Sequence, residues 1–232
     1  MNVETPPARG FIRSRGMRVP RHPGITTGRI RAALRAETFE RKECEAVMRV
    51  VQKGDRVLEL GGGIGYVSTL IATQRQARRL VCYEANPALI PHIRRMHAAN
   101  DAERIELRNA LLTPEGGAPL PFYLRKNILS SSLDGTVDPG AITGTVEVAR
   151  QAIDPVLEEV RPEVLICDIE GGEAALLPAG DWSSLRAAVI ELHPQWIGQS
   201  GVQAVFDAMQ GAGLSYFPRA SHGKVVTFRR GW

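Results

Sequence analysis

The apolar positions along the chain fall into two kinds of run. Short stretches rich in apolar residues recur at 56–60, 79–83, 104–108, 164–167 and 188–192, each ending at or beside a polar residue. Between them, apolar residues recur at helical spacing, most clearly over 36–51, where Cys44, Val47, Met48 and Val51 share one face. Helices are also predicted from about Val67 to Gln76, from Asn86-Pro87 to about Asn100, over 152–160, and over 201–212. Asn86 suits the cap of its helix and Pro87 the first turn. Strands near 214–218 and 224–229, with the Gly213 turn before them, close the chain. Strands that alternate with helices predict a parallel sheet covered on both faces, and the final pair predicts an antiparallel edge. Val164-Leu165-Ile166-Cys167 has no polar alternation, so it is expected at the sheet centre.

Two segments stand outside this rhythm. Residues 1–35 read as an irregular arm or lid, partly disordered, ahead of a single catalytic-sized domain over 36–232. Residues 113–146 are crowded with Pro and Gly, with a short strand expected at Phe122-Tyr123-Leu124. A connection of that length inside a compact domain points to function.

Bulk composition narrows the class. An apolar content of 44% supports a packed core in a chain of 232 residues. No apolar run approaches the roughly 20 residues of a membrane span, and the N-terminus shows no apolar leader. Cys44, Cys82 and Cys167 are scattered, which fits core thiols in a reducing, cytoplasmic setting. Charge is uneven: residues 1–42 carry ten Lys and Arg against three Glu. Such an arm raises the question of nucleic acid. Phe11 is its one aromatic before Phe39, however, so it lacks stacking residues and reads as a solvated extension.

Candidate chemistry starts at Val57-Leu58-Glu59-Leu60-Gly61-Gly62-Gly63-Ile64-Gly65, an apolar strand, a glycine turn and a helix start. Glycines admit positive φ and close backbone approach to a ligand. The dinucleotide template G-x-G-x-x-G/A fits poorly, because Tyr66 or Ser68 falls at its last small position. The run Glu59-x-Gly61-x-Gly63-x-Gly65 instead resembles the first motif of class I S-adenosylmethionine (SAM) methyltransferases. The resemblance implies a three-layer Rossmann-like α/β fold, a seven-stranded and mostly parallel sheet with an antiparallel edge strand, and SAM as cofactor. Ligands in such sheets sit beyond the carboxyl ends of the strands. Glu84, at the end of the second strand with Ala85 after it, is placed to accept hydrogen bonds from both ribose hydroxyls. Asn109 and Ala110, after the third strand, are candidates for an adenine contact. The cofactor-binding set expected is Glu59, Gly61, Gly62, Gly63, Gly65, Glu84, Ala85, Asn109 and Ala110.

The fourth strand end narrows the resemblance. Asp168-x-Glu170-Gly171-x-Glu173, with Leu176-Leu177 and then Ile190-Glu191-Leu192-His193-Pro194, is similar to the FkbM family of SAM-dependent O-methyltransferases. Tyr83-Glu84-Ala85-Asn86-Pro87 and Ser130-Ser131-Ser132 support it over about residues 55–195. The family implies methylation of hydroxyls on saccharides or natural-product molecules. An alcohol acceptor needs a base, and Asp168, Glu170 and His193 are the catalytic candidates. Glu173 is expected to support them. Asp168 and Glu170, with Glu191 or His193, also suit Mg²⁺, but no metal is assigned. The segment after the fourth strand lacks the Asn/Asp-Pro-Pro-aromatic motif of enzymes that methylate base amines. The expected partner is therefore a small-molecule hydroxyl acceptor, with a nucleic-acid methyltransferase or a non-catalytic binding module as alternatives.

Overall fold

The computed structural model describes residues 10–136 and 138–231. The central sheet has seven strands, in spatial order β11-β12-β10-β9-β3-β4-β5. They are β3 (Arg56–Leu60), β4 (Arg79–Tyr83), β5 (Glu106–Arg108), β9 (Val164–Cys167), β10 (Ala187–Glu191), β11 (Ser215–Tyr216) and β12 (Val225–Arg229). Pairing is parallel from β10 through β9, β3 and β4 to β5. β12 runs antiparallel to β10 and to the short edge strand β11, as expected.

Period-two alternation divides the strands between two cores. Val57, Leu80, Cys82, Val164, Ile166 and Val189 face one side. That side is covered by α2 (Arg41–Val50), α3 (Tyr66–Gln74) and α4 (Ile90–Ala99). Leu58, Leu60, Val81, Leu165, Cys167 and Ile190 face the other. There α5 (Ile153–Val160), the single turn α6 (Glu173–Leu176) and α7 (Pro194–Gly211) lie. Strand order reverses between β3 and β9, and the crevice at their carboxyl ends is the usual ligand position in an open α/β sheet.

Three expectations need correction. The arm is not irregular where it is described: β1 (Phe11–Ser14) and β2 (Met17–Pro20) form an antiparallel hairpin, followed by α1 (Gly28–Arg35). The first nine residues of the expected arm lie outside the described residues. The hairpin folds because α3 buries every residue from Tyr66 to Ile71, so its outer side also needs cover. Ile12, Met17 and Val19 supply it, and Ser14 Oγ and Tyr66 OH share a buried hydrogen bond of 2.6 Å. Asn100 pairs its amide with both backbone groups of Arg18, at 2.8 and 2.9 Å, extending β2 as a strand neighbour would.

The turn-rich stretch is likewise ordered. β6 (Leu111–Thr113), β7 (Gly117–Arg125) and β8 (Ile142–Ala152) make a separate three-stranded sheet, order β6-β8-β7. Its apolar alternation is confined to one side, at Leu120, Phe122 and Leu124, and the Pro and Gly residues hid the rest. The last long helix also starts earlier than 201, immediately after His193, and is broken at Gly198, where φ is 64°.

Candidate active site

The carboxyl ends of β3, β4, β9 and β10 surround a cavity of about 350 Å³. Gly61, Gly62 and Gly63 form one wall. The N–H groups of Gly61 and Gly62 donate to the Tyr83 carbonyl at 2.9 and 3.0 Å, pinning the loop to the end of β4. Gly61 has φ 88°, and a Cβ there would fall 1.7 Å from the Asp168 carbonyl oxygen. A Cβ on Gly62 would lie 2.6 Å from Cys82 Sγ. Only glycine fits at these two positions. Gly65 is off the cavity wall; with φ 76° it caps α3 and packs against Ile93.

Glu84 lines the cavity and is 7% exposed. Its Oε2 accepts the Gly63 N–H at 2.8 Å and its Oε1 the Asn86 N–H at 2.7 Å, which leaves a second lone pair on each oxygen. Burial raises its carboxyl to about 7 against those bonds, which lower it. Ala85 and Ala110 also line the cavity. Asn109 does not: its amide donates to the carbonyls of Glu84 and Ala85, at 2.8 and 3.0 Å, and so shapes the loop that carries Glu84.

Glu59 is 2% exposed, and its Oε2 has no hydrogen-bond partner among the described residues. Burial raises it to about 7, offset by Cys82 and Ser68. Glu191, of the motif at the end of β10, also stands on the wall, and two further carboxylates there escaped the sequence reading: Glu40 and Glu43 at the start of α2. Glu40 is raised by burial, then by Glu43 and Asp168; Glu43 rises to about 7 through burial and the neighbouring Glu191. A carboxylate repeated within the first turn of an amphipathic helix is ordinary capping chemistry, so the pattern gave no signal. Among the described residues, no Lys or Arg stands on the wall.

Beside the glycine loop, the acid segment turns sharply. Asp168 N–H donates to Leu60 O at 2.9 Å, continuing the β3–β9 register. Glu170 then adopts a left-handed φ of 51° and Gly171 a φ of 101°, which breaks the strand and starts α6. Asp168 and Glu170 line the cavity, while His193, 4% exposed, stands behind them. His193 Nε2 lies 3.3 Å from Glu170 Oε2 and 3.6 Å from Asp168 Oδ1.

Glu173, fully buried, orients this histidine. Its Oε1 accepts the His193 N–H at 2.9 Å and lies 3.2 Å from Nδ1; its Oε2 accepts the Gly171 N–H at 2.9 Å. Trp196 stacks on the imidazole at 4.9 Å. Burial lowers the His193 pKa, but Glu173, Glu170 and Asp168 outweigh it and the net shift is upward. Burial raises Glu170 to about 7, partly offset by His193. Asp168 is raised by burial and then by Glu191 and Glu170.

This donor set fits the cofactor implied by the glycine motif. Glycine backbone that tolerates no side chain makes a close cradle, and the orphaned Glu59 oxygen awaits a donor. Charged side chains that, among the described residues, are all acidic suit a ligand bearing a sulfonium and an ammonium and oppose one bearing phosphates.

Among solved structures, the precorrin-6y C5,15-methyltransferase of Geobacter metallireducens is 12% identical, with a TM-score of 0.49 over 83% of this chain and 88% of that one. A TehB-like SAM-dependent methyltransferase of Corynebacterium glutamicum is 13% identical, with a TM-score of 0.48 over 88% of this chain and 95% of that one. No curated protein matches the sequence. The model of the methyltransferase FkbM domain matches residues 59–224, and the chain therefore belongs to the FkbM family of SAM-dependent methyltransferases.

Proposed function

We propose that this enzyme methylates a hydroxyl oxygen of a small acceptor, of saccharide or natural-product type. The observation that carries the reading is the placement of Asp168 and Glu170 on the cavity wall beside Gly61, with His193 directly behind them. SAM supplies an electrophilic methyl on a sulfonium. Glu59, Gly61, Gly62 and Gly63 hold its amino-acid end, Glu84 its ribose, and Ala85 and Ala110 its adenine. Gly65 and Asn109 act indirectly, by shaping the loop and its neighbour.

An alcohol must lose its proton as its oxygen attacks, whereas an amine already offers a lone pair. One of Asp168, Glu170 and His193 takes that proton; burial lifts both carboxyls above their ordinary range, which makes each a stronger base than a surface carboxylate. The second sheet supplies the acceptor's other wall through Leu111, Leu112 and Phe122, with Ile128, Leu129 and Leu133 from the following loop. A mostly apolar face opposite an acidic one suits a hydroxylated, uncharged or cationic molecule and disfavours a phosphodiester. That weighs against nucleic acid as acceptor.

The test is release of S-adenosylhomocysteine across matched acceptors differing only in hydroxyl or amine at one position. Turnover with the hydroxylated members supports the reading; turnover confined to the amines overturns it.

A further inference from the structure

The Nε2 edge of the His193 imidazole faces two carboxylates. With Nδ1–H directed at Glu173 Oε1, Nε2 carries no proton in the neutral ring. That bare nitrogen nevertheless points at Glu170 Oε2 and Asp168 Oδ1, at 3.3 and 3.6 Å. Three electron-rich atoms turned on one another repel unless a positive charge stands between them. Two occupants meet the need: a proton on Nε2 or a metal cation.

The distances favour the cation. A charge-assisted N–H···O contact closes to about 2.7–2.9 Å, and both separations here are longer. Adjacent ligands on an octahedral divalent ion stand about 3.0–3.4 Å apart for metal–ligand bonds of about 2.1–2.4 Å; the 3.3 Å separation falls in that range and the 3.6 Å one just beyond it. The three donor atoms lie within 4.8 Å of one another. Asp168 Oδ1 is buried and accepts no hydrogen bond among the described residues, so it still lacks a partner. Glu173 serves His193 as the outer carboxylate that orients a ligating imidazole and strengthens it as a donor. Among the described residues no Lys or Arg lines the wall, although Lys224 and Lys42 act on Glu170 and Glu43 from outside it.

We propose that Asp168, Glu170 and His193 bind one hard divalent cation of the Mg²⁺ or Mn²⁺ class at the inner edge of the cavity. Asp168 Oδ1, Glu170 Oε2 and His193 Nε2 occupy one side of the ion and leave its cavity side open to oxygen, and each carboxylate keeps its second oxygen to take the acceptor's proton. An acceptor bearing two adjacent oxygens would chelate there, so the inference rests on the hydroxyl-acceptor reading and narrows its substrate class to vicinal diols and hydroxy-carbonyls.

Mn²⁺ added to the full chain, without SAM or acceptor, tests this by calorimetry and electron paramagnetic resonance. One site is expected, with quenching of Trp196 fluorescence that Trp196→Phe removes without removing the bound ion. Asp168→Asn combined with Glu170→Gln is expected to abolish the site while calorimetric SAM binding, which also reports folding, persists. Glu173→Gln is expected to weaken Mn²⁺ about 10- to 100-fold. Failure of the wild type to bind Mn²⁺ at millimolar concentration overturns the proposal, as does binding unchanged by the double substitution. Full turnover of hydroxylated acceptors in EDTA, with no Mn²⁺ bound, would sink the metal and leave the hydroxyl reading standing. A bound ion with turnover confined to amines would do the reverse.

Discussion

Gly61 packs against the carbonyl of Asp168 so closely that a Cβ built on it would stand 1.7 Å from that oxygen. The glycine loop and the acid segment are thus one structural unit, joined where β3 and β9 end side by side. Gly61→Ala forces that junction apart while holding φ at 88°, and the expected loss is about 3 kcal/mol or more of stability, with loss of SAM binding. Gly63→Ala is a contrasting case. Its φ is 55°, but the nearest neighbour to a Cβ is Glu40 Oε1 at 3.8 Å. It is expected to cost about 1 kcal/mol and keep the fold. Thermal melts of the two variants decide the matter; equal melting temperatures would contradict the packing argument.

This junction explains what could be read from the chain alone. The β3–glycine–α3 unit and the ends of β4 and β9 were legible because strand period, turn chemistry and acid position coincide within a few residues. Glu59, Glu84, Asp168 and Glu170 accordingly lie on one cavity. His193 was found by its neighbours Leu192 and Pro194, although its role depends on Glu173, twenty residues earlier. Asn109 lies off the cavity with its amide spent on two carbonyls, a distinction the sequence does not carry, because a polar residue after a strand looks the same whether it meets a ligand or a neighbouring carbonyl. Glu40 and Glu43 were invisible for a different reason: only tertiary packing turns the first turn of α2 toward the glycines. The three-stranded sheet was hidden by its Pro and Gly residues, which suppress strand propensity without forbidding an irregular pair with a register shift between Gly117 and Leu120.

Glu84 makes cofactor binding depend on pH. Its folded-state carboxyl is raised to about 7 by burial, against an ordinary value of 4.5. The folded protein therefore binds more protons than the unfolded chain between these values. The stability this group contributes is fully present below 4.5 and is lost as pH rises through about 7. Ribose hydroxyls donate to the ionised form, so SAM is expected to bind about tenfold more tightly at pH 8 than at pH 6, with proton release. Calorimetry in two buffers of different ionisation enthalpy measures that release. Glu84→Gln is expected to weaken SAM binding and reduce the pH dependence, the remainder belonging to Glu59, which burial also raises to about 7; an unaltered slope would contradict the assignment.

Glu173 touches neither cavity nor acceptor, yet it bonds the backbone and ring of His193 and the backbone of Gly171. It acts as a positioning residue. Gln in its place turns an NH₂ toward one of those N–H groups, costing about 1–3 kcal/mol of stability. A purely structural role would stop there. The positioning role adds a separate signature: kcat falls about 10- to 100-fold while the SAM dissociation constant, measured on folded protein, stays within about twofold of wild type. Parallel loss of both quantities would favour the structural role.

The N-terminal hairpin provides the last test, because a loose basic arm and a structural cover for α3 predict opposite results. Met17 is 1% exposed and lies in the core cluster that includes Leu70, Ile71 and Ile93. If the hairpin only tethered a partner, Met17→Ala would leave the domain's melting temperature unchanged. As part of the core, its truncation leaves a cavity in the cluster that joins the hairpin to α3 and α4. The expected cost is about 2–5 kcal/mol, with both SAM binding and melting temperature affected, since α3 begins at the glycine loop. Arg13→Ala, on the same hairpin but exposed, is the control and is expected to change stability by less than about 0.5 kcal/mol.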